Sequence, residues 1–319
     1  MTDLNNKTIL ITGGAGAIGS NLAKRLLAEY SCKIIVVDDL SSGHTELLPD
    51  DKKLEFHQTS VINDDMLEKI FSQKIDVVFH LAALFANQKS VDQPREDLMV
   101  NGMGTLKLLQ ACAKGKVEKF VYSSSSCVYG NKNRVLEEKD TDFSLDTPYA
   151  ITKLLGEKYC TYYHEHYSLP TVTLRYFNAY GPGEYPGKYR NVIPNFFKLA
   201  INRQPLTVMG TGNETRDFTF YYDNIQGTIK AAEKDKAAGE IFNIGSGAET
   251  RVIDIAEKIN KLCENEGNIK FIPARDWDSV KKRVASIEKA KKILSYRPEY
   301  GIEKGLDITF NWFKEMKIK

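Results

Sequence analysis

The stretch TILITGGAGAIG at residues 8–19 decides how this chain folds. It joins a short aliphatic run directly to a glycine-rich loop. A helical pattern follows at once, with Ile18, Leu22 and Leu26 spaced four apart on one face. Glycine lets the backbone turn tightly and approach a ligand closely, and the free N–H groups of a helix N-terminus attract phosphate. The stretch therefore predicts a strand, a phosphate-binding loop and a helix, in that order.

Similar apolar runs recur along the first half of the chain, and helical patterns separate them. The predicted strands span residues 8–12, 33–38, 75–80, 120–124 and 171–177. Strands that alternate with helices form parallel sheets with right-handed crossovers. The predicted fold class is therefore α/β, a Rossmann-type doubly wound parallel sheet.

Gly- and Pro-rich sequence begins after the last of these strands, where residues 178–194 read NAYGPGEYPGKYRNVIP. Such sequence forms irregular connections. We therefore predict a nucleotide-binding domain at 1–177 and a smaller C-terminal α/β substrate lobe at 178–319, with segments around 220–245 returning to the first domain.

Bulk composition narrows the class of function. The 319 residues include 44 Lys and Arg against 42 Asp and Glu, a formal net charge of +2, whereas nucleic-acid-binding domains carry a basic excess. The five cysteines are widely spaced without a C-x-x-C pair, which suits reduced thiols. No stretch approaches the ~20 apolar residues of a membrane span. We expect a cytoplasmic protein with no nucleic-acid partner, membrane segment or bound metal.

Asp38 ends the second predicted strand, in the region about 20 residues beyond the glycine loop where such folds carry an acidic residue. A carboxylate there accepts hydrogen bonds from an adenosine ribose and repels a 2′-phosphate. Together with the glycine loop, Asp38 predicts NAD as the cofactor. The alternative interpretation is a solvated aspartate at a strand end.

Tyr149 and Lys153 form Y-x-x-x-K in a helical segment, so their side chains lie one turn apart on the same face. A phenol is a poor base at neutral pH, but a neighbouring ammonium and a positive nicotinamide ring would both favour the phenolate. The run VYSSSSCVYG at 121–130 carries hydroxyls at the end of a strand, where open α/β sheets form active sites. Tyr149 is therefore the candidate general base. The alternative interpretation is a Tyr–Lys pair on a helix surface with no catalytic role.

The chain resembles the extended short-chain dehydrogenase/reductases, because seven motifs follow one another in that family's order. They are TGGAGAIG at 12–19, VVDDLSSG at 36–43, HLAA at 80–83, SSSSCVYG at 123–130, YAITK at 149–153, RYFNAYGP at 175–182 and RDF at 216–218. The similarity covers nearly the whole chain and is greatest to UDP-glucose (UDP-galactose) 4-epimerases of the NAD-dependent epimerase/dehydratase family. It implies a nucleotide-sugar 4-epimerase that acts on a UDP-hexose, glucose/galactose or an N-acetyl form, through a transient 4-keto sugar.

The resemblance also implies roles for individual residues. Ser125 matches the hydroxyl partner of Tyr149, and Lys153 matches the residue that lowers the tyrosine pKa and binds ribose. NAD contacts are implied for Gly13, Gly16, Ala17, Ile18, Asp38, Asp39, Leu40, Ser42, Gly43, Ser60, Val61, Leu81, Ala82, Ala83, Asn101, Ser123, Tyr149, Lys153 and Tyr176. Substrate contacts are implied for Ser125, Ser126, Asn178, Asn191, Val192, Thr207, Met209, Arg216, Arg275 and Asp278. Relatives dimerise through two helices per subunit, here the runs 98–112 and 149–167.

Three departures from the family pattern leave alternatives open. Ser60 and Val61 stand where an acidic residue usually contacts adenine, so we expect weaker anchoring of adenine. Residues 275–278 read RDWD instead of Arg-x-Gly-Asp, and the run 281–283, KKR, brings cations near the sugar pocket. These cations indicate either a carboxylated substrate such as UDP-glucuronate or an exposed basic face.

Other chemistries on the same fold remain alternatives. Dehydratases of the family carry an Asp-Glu pair, and decarboxylases a Glu, where this chain has Ser126 and Cys127. This difference favours epimerisation over loss of water or carbon dioxide. A non-catalytic NAD-binding protein would be expected to have lost Tyr149 or Lys153.

Overall fold

The computed structural model describes residues 2–275 and 280–316, and a seven-stranded parallel sheet lies at its centre. The strands are β1 Thr8–Thr12, β2 Lys33–Asp38, β3 Leu54–Gln58, β4 Val77–His80, β5 Lys119–Ser125, β6 Arg134–Leu136, β7 Thr171–Tyr176, β8 Ala179–Tyr180, β9 Thr207–Met209, β10 Thr215–Arg216, β11 Thr219–Phe220, β12 Ile241–Ile244, β13 Thr250–Arg251, β14 Lys270–Ile272 and β15 Lys282–Ala285. The helices are α1 Ala17–Glu29, α2 Asp64–Ile70, α3 Asn87–Asp92, α4 Pro94–Asp97, α5 Gly104–Lys114, α6 Pro148–Tyr167, α7 Val192–Ile201, α8 Tyr221–Glu233, α9 Val252–Leu262, α10 Glu288–Leu294 and α11 Ile302–Glu315. A π-helical segment, Leu98–Met103, joins α4 to α5.

The central sheet has the strand order β12-β7-β5-β4-β1-β2-β3, which confirms the predicted fold class. All of these strands are parallel, and the order in which they are added to the sheet reverses between β1 and β4. Ligands of such sheets bind at this point, beyond the carboxyl ends of the strands. β3 and β12 are not among the strands predicted from the sequence, although the segment around 220–245 that contains β12 is predicted to return to the first domain. β3 lies at the edge with side chains that are mostly half-exposed, and β12 is only four residues long, so neither has a clear apolar pattern.

Both faces of the sheet are covered, as alternate side chains of β1 show. Ile9 and Ile11 face one core together with Leu22 and Leu26 of α1, whereas Leu10 faces the opposite core. Successive side chains of a strand point to opposite faces, so a strand covered on both sides is apolar throughout. This requirement explains why the residues of β1, TILIT, include an unbroken aliphatic run.

The C-terminal half of the chain contributes to two bodies. Helices α7, α9 and α11 pack around a separate core that includes Phe197, Ile255 and Phe313. In contrast, α8 packs on the central sheet, and β12 pairs with β7 in it. A four-stranded sheet, β13-β10-β15-β6, crosses between the two halves, because β6 precedes the predicted boundary and β15 follows it.

A buried ion pair fixes α6 against the sheet. Arg175 of β7 and Glu157 of α6 are 1% and 2% exposed, and Arg175 Nη2 lies 2.7 Å from Glu157 Oε2. Ser124 of β5 donates a hydrogen bond to the other Glu157 oxygen. Arg175 also donates to the carbonyl oxygen of Glu138 and to Thr141 Oγ1. All the partners of the pair are therefore supplied from inside the protein.

We predict that Glu157→Leu lowers the free energy of unfolding by about 3–5 kcal/mol, because the buried Arg175 guanidinium would lose its counter-charge. The matched control is Glu29→Leu, which removes an ion pair whose Arg25 and Glu29 side chains are 39% and 42% exposed. That change should cost less than about 1 kcal/mol. Urea denaturation of both variants measures the difference, and equal losses would contradict the role given to the buried pair.

Candidate active site

A cavity of about 520 Å³ lies beyond the carboxyl ends of the central strands, between the sheet and the second lobe. The glycine loop borders one part of it, and side chains of α6 and β5 border another. Asn178, Asn191 and Arg216 line it from the C-terminal half of the chain. The predicted cofactor, catalytic and substrate residues thus meet around one space.

The glycine loop packs so tightly against the protein's own backbone that two of its positions leave no space for a Cβ atom. Gly13 has a φ of +71°, and a Cβ there would lie 2.6 Å from the backbone nitrogen of Ala82. A Cβ on Gly19 would overlap the carbonyl oxygen of Gly13. Gly16 caps α1 without a side-chain hydrogen bond, so the first N–H groups of the helix are left to a ligand. This cradle fits the pyrophosphate of a dinucleotide.

Asp38 lines the cavity at the end of β2 and is 8% exposed. One carboxylate oxygen accepts a hydrogen bond from the N–H of Ala15 at 3.0 Å, and the other accepts one from the N–H of Leu40 at 2.9 Å. Burial raises the pKa of the carboxyl, and these two hydrogen bonds oppose that effect. A Cβ on Gly43 would lie 2.7 Å from Asp38 Oδ1, so glycine is needed there.

Most residues with an implied NAD contact surround the cavity. Those that line it are Gly13, Gly16, Ala17, Ile18, Asp38, Asp39, Ser42, Gly43, Ser60, Val61, Leu81, Ala82, Ala83, Ser123, Tyr149, Lys153 and Tyr176. Leu40 instead lines a smaller neighbouring cavity of about 280 Å³. Asn101 is 1% exposed and lies outside the lining, where its oxygen accepts a hydrogen bond from the N–H of Leu84 at 2.8 Å. Asn101 therefore supports the loop after β4 from behind.

The three candidate catalytic side chains lie together in the cavity wall. Tyr149 is 7% exposed, and the Ser125 side chain lies near enough to lower the pKa of its phenol. Lys153 Nζ lies 5.7 Å from the centre of the Tyr149 ring and donates a hydrogen bond to the carbonyl oxygen of Ser123 at 2.8 Å. The end of β5 therefore lies beside both Tyr149 and the ammonium group of Lys153.

Burial dominates the electrostatics of this group. It raises the pKa of Tyr149 well above its usual value, and the nearby Ser125 side chain opposes the shift only in part. Burial also lowers the pKa of Lys153 to about 8, although the carboxylate of Asp97 favours the charged lysine. The sequence led us to expect that Lys153 favours the phenolate. In the protein alone, burial is the largest influence on the pKa of Tyr149 and favours the neutral phenol.

Asp97 was missed by sequence analysis. It is fully buried at the end of α4 and accepts hydrogen bonds from Thr152 Oγ1 at 2.7 Å and Asn101 Nδ2 at 2.8 Å. Burial raises the pKa of this carboxyl, and the charge of Lys153 opposes the shift. An isolated aspartate within a helical run belongs to no motif, and its contact with Thr152 joins residues that are 55 positions apart in the chain.

The substrate residues divide into two groups. Ser125, Ser126, Asn178, Asn191, Arg216 and Arg275 line the cavity. Val192, Thr207 and Met209 lie outside the lining: Val192 is 36% exposed at the start of α7, and Met209 is 43% exposed on the short strand β9. Asp278 lies outside the described residues. The cavity wall therefore holds both of the arginines, Arg216 and Arg275, for which the resemblance implies substrate contacts.

Arg283 of β15 lines the cavity beside Cys127. Its Nη2 donates to the carbonyl oxygen of Gly130 at 2.7 Å, and its Nη1 lies 3.9 Å from Cys127 Sγ. Its Nε is buried without a hydrogen-bond partner, and no carboxylate of the described residues forms an ion pair with it. Arg283 thus places a positive charge next to the strand end that carries Ser125.

No helix within residues 2–275 and 280–316 is long and apolar enough to cross a membrane. In the same residues, no group of three or more His, Cys, Asp or Glu side chains is placed to hold a metal ion.

Comparisons with known proteins agree with this geometry. The family described as the NAD dependent epimerase/dehydratase family matches residues 9–245. UDP-N-acetyl-alpha-D-glucosaminuronate decarboxylase of Bacillus cytotoxicus is 34% identical, over 98% of this chain and 99% of its own. The structure of epimerase Mth375 from Methanothermobacter thermautotrophicus is 47% identical with a TM-score of 0.96, over 98% of this chain and 93% of its own. UDP-glucose 4-epimerase of Thermotoga maritima, solved with UDP-glucose, is 32% identical with a TM-score of 0.92, over 97% and 99%. The chain belongs to the NAD-dependent epimerase/dehydratase family, and its cofactor is NAD.

Proposed function

We propose that this protein is a UDP-hexose 4-epimerase. The observation that carries the proposal is the placement of Ser125, Tyr149 and Lys153 in one cavity wall, with Ser126 and Cys127 next to them at the end of β5. When bound, NAD accepts a hydride from the sugar and returns it. The side chains of the protein have to move one proton to and from the sugar oxygen and keep the substrate bound.

Tyr149 is the group that takes the proton of the sugar O4. Because burial favours the neutral phenol in the protein alone, its ionisation depends on positive charge that arrives with the cofactor. Ser125 lines the same cavity beside Tyr149, and its hydroxyl can bind the same sugar oxygen. The hydrogen bond to the carbonyl oxygen of Ser123 fixes the position of Lys153 Nζ. Its positive charge then lies near the Tyr149 ring without occupying the space of that ring.

Ser126 and Cys127 support inversion as the outcome. Removing water or carbon dioxide from a 4-keto sugar calls for a further acid, base or charged group beside the ring. The family's dehydratases and decarboxylases have carboxylates in this stretch, and this chain has a hydroxyl and a thiol there. Without such a group, reduction of the keto sugar back to a 4-hydroxyl sugar is the reaction that remains.

Arg283 favours a second candidate, a UDP-hexuronate 4-epimerase. A guanidinium with a buried, unsatisfied Nε is costly unless a ligand supplies an acceptor. A carboxylate at C5 of the sugar would supply two acceptor oxygens and a counter-charge. A neutral sugar would leave Arg283 with its contacts to Gly130 and Cys127.

We also propose that the protein forms a homodimer through the π-helical segment with α5 and through α6. These elements expose large apolar side chains: Leu98 is 52% exposed, Met99 44%, Met103 40%, Ile151 54% and Tyr162 45%. An apolar surface shared by two packed helices is typical of a protein–protein contact.

We predict that Tyr149→Phe keeps NAD and UDP-sugar affinity but lowers kcat at least ~100-fold, because the ring still packs while the proton acceptor is lost. Tyr159→Phe is the matched control, since Tyr159 lies on the same helix, is half-buried and is not part of the cavity lining. Steady-state kinetics and fluorescence titration with NADH separate the two effects. A Tyr149→Phe enzyme with more than a tenth of wild-type kcat, a barrier change below about 1.4 kcal/mol, would refute the role of Tyr149.

The product formed from each sugar tests the proposed reaction. The purified protein is incubated separately with UDP-glucose, UDP-N-acetylglucosamine and UDP-glucuronate, and sugar proton spectra are followed. We expect the axial 4-hydroxyl epimer of at least one of them. A 6-deoxy-4-keto sugar or UDP-xylose as the main product would exclude epimerisation as the principal activity.

The same assay distinguishes the two candidate substrates. If the substrate is a hexuronate, Arg283→Met should lower kcat/KM for UDP-glucuronate at least ~10-fold, because a charge-assisted pair is lost. Its effect on a neutral UDP-sugar should be several times smaller. Equal effects on both sugars would assign Arg283 to the structure of β15 and not to substrate choice.

For the dimer we expect that Leu98→Glu together with Ile151→Glu gives a monomer in light scattering, since both changes bury charge in the contact. Phe271→Glu is the control, because Phe271 is 55% exposed on β14 in the second lobe. A wild-type protein that is monomeric at micromolar concentration would contradict the proposal.

A further inference from the structure

Glu184 is a buried carboxyl in the cavity wall that has no role in the proposed reaction. It lies in the Gly- and Pro-rich connection after β8, lines the cavity and is 3% exposed. The preceding Gly183 has a φ of +95°, and a Cβ there would lie 3.3 Å from Cα of Ala17. The connection therefore passes close to the start of α1 and brings Glu184 between the cofactor loop and the second lobe.

Both oxygens of Glu184 already accept hydrogen bonds. Oε1 accepts from Asn191 Nδ2 at 3.1 Å, and Oε2 accepts from the hydroxyl of Tyr221 at 3.0 Å. A carboxylate whose two oxygens hold protein donors is suited to fixing those donors in place. It is poorly suited to exchanging protons with a substrate, because either bond would have to break first.

The contact with Glu184 decides which way the Asn191 amide points. A second contact of Nδ2, with the carbonyl oxygen of Ala179 at 3.4 Å, uses its other hydrogen. Both amide hydrogens are then directed at the protein. No donor of the described residues is hydrogen-bonded to Asn191 Oδ1, and Asn191 lines the cavity. The amide oxygen is therefore the atom that Asn191 offers to a ligand.

We propose that Glu184 is a positioning residue that orients Asn191 so that its amide oxygen accepts a hydrogen bond from a hydroxyl or N–H donor of the sugar nucleotide. This inference rests on the proposed function. It predicts that Glu184 acts on substrate affinity through Asn191 and contributes nothing to the proton transfer.

The charge of Glu184 is not required for this role. Burial raises its pKa to about 7, and the nearby Arg190 guanidinium together with the hydrogen bonds from Tyr221 and Asn191 opposes the shift. When the carboxyl is protonated, its carbonyl oxygen can still accept from Asn191, while its O–H donates to the oxygen of Tyr221. Glutamine has the same acceptor and donor in the same shape. Glutamine at position 184 should therefore keep Asn191 oriented as glutamate does, and leucine should not.

The experiment compares Glu184→Gln, Glu184→Leu, Asn191→Ala and the double variant Glu184→Leu/Asn191→Ala, all as holoenzymes with bound NAD. The substrate is whichever of UDP-glucose, UDP-N-acetylglucosamine and UDP-glucuronate the wild type epimerises. We expect Glu184→Leu to raise KM about tenfold with kcat changed less than about threefold, as for loss of a hydrogen bond made equally in the ground and transition states. Glu184→Gln should stay within about threefold of wild type in both constants.

The double variant tests whether Glu184 acts through Asn191. If it does, the double variant has the same KM as Asn191→Ala, because the two changes remove one interaction. Tyr221→Phe is a further control, since it removes the other hydrogen bond of Glu184 and leaves Asn191 in place. Glu184→Met, measured beside the leucine variant, guards against a variant that does not fold.

Three results would overturn the inference while the proposed function stands. They are an unchanged KM in both apolar variants, multiplying KM effects in the double variant, and a Glu184→Gln enzyme as impaired as Glu184→Leu. Retained NAD content and melting temperature show that a raised KM is not a folding defect. A wild-type protein that epimerises none of the three UDP-sugars would overturn the proposed function, and the inference with it.

Discussion

The ion pair between Arg175 of β7 and Glu157 fixes α6, the helix that carries the candidate residues Tyr149 and Lys153, against the central sheet. Two charges removed from water stabilise a protein only if their attraction and their other hydrogen bonds offset the loss of hydration. Ser124 supplies one of these bonds and lies next to Ser125 on β5. Glu157 is one helical turn from Lys153 on α6. The pair therefore sets the position of α6 along β5, and with it the contact between Tyr149 and Ser125.

The interior of the site continues this pattern of charges matched by buried partners. Lys153 has the carbonyl oxygen of Ser123 and the nearby charge of Asp97. Asp97 in turn has Thr152 and Asn101 as donors. Because Lys153 and Asp97 both have hydrogen bonds within the protein, this part of the site can exclude water and still hold charge. A dry site strengthens the effect of one further positive charge on the Tyr149 phenol.

The sequence predicted the parts of the fold and site that depend on local pattern. Strands β1 and β2 end where the aliphatic runs end. The loop after β1 requires glycine because neighbouring backbone atoms leave no space for a Cβ, and this requirement is visible in the sequence motif. Asp97 and Glu184 could not be found in this way, since neither belongs to a motif or a periodic run, and each has a partner, Thr152 or Tyr221, that is distant in sequence. The prediction for Thr207 and Met209 came from family resemblance alone, and the structure leaves both outside the cavity lining.

The four-stranded sheet that contains β6, β10 and β15 has a consequence for motion. β15 pairs with β6 from the first half of the chain, and Arg283 of β15 is the register partner of Arg216 of β10. Hinge opening between the two halves would break this continuous hydrogen-bonded ladder, so the frame that carries the two arginines is stiff. An epimerase must present both faces of one ring to the same cofactor. If the protein is the proposed 4-epimerase, rigid walls leave the turning of the ring to the sugar itself, by rotation about the bonds of its diphosphate.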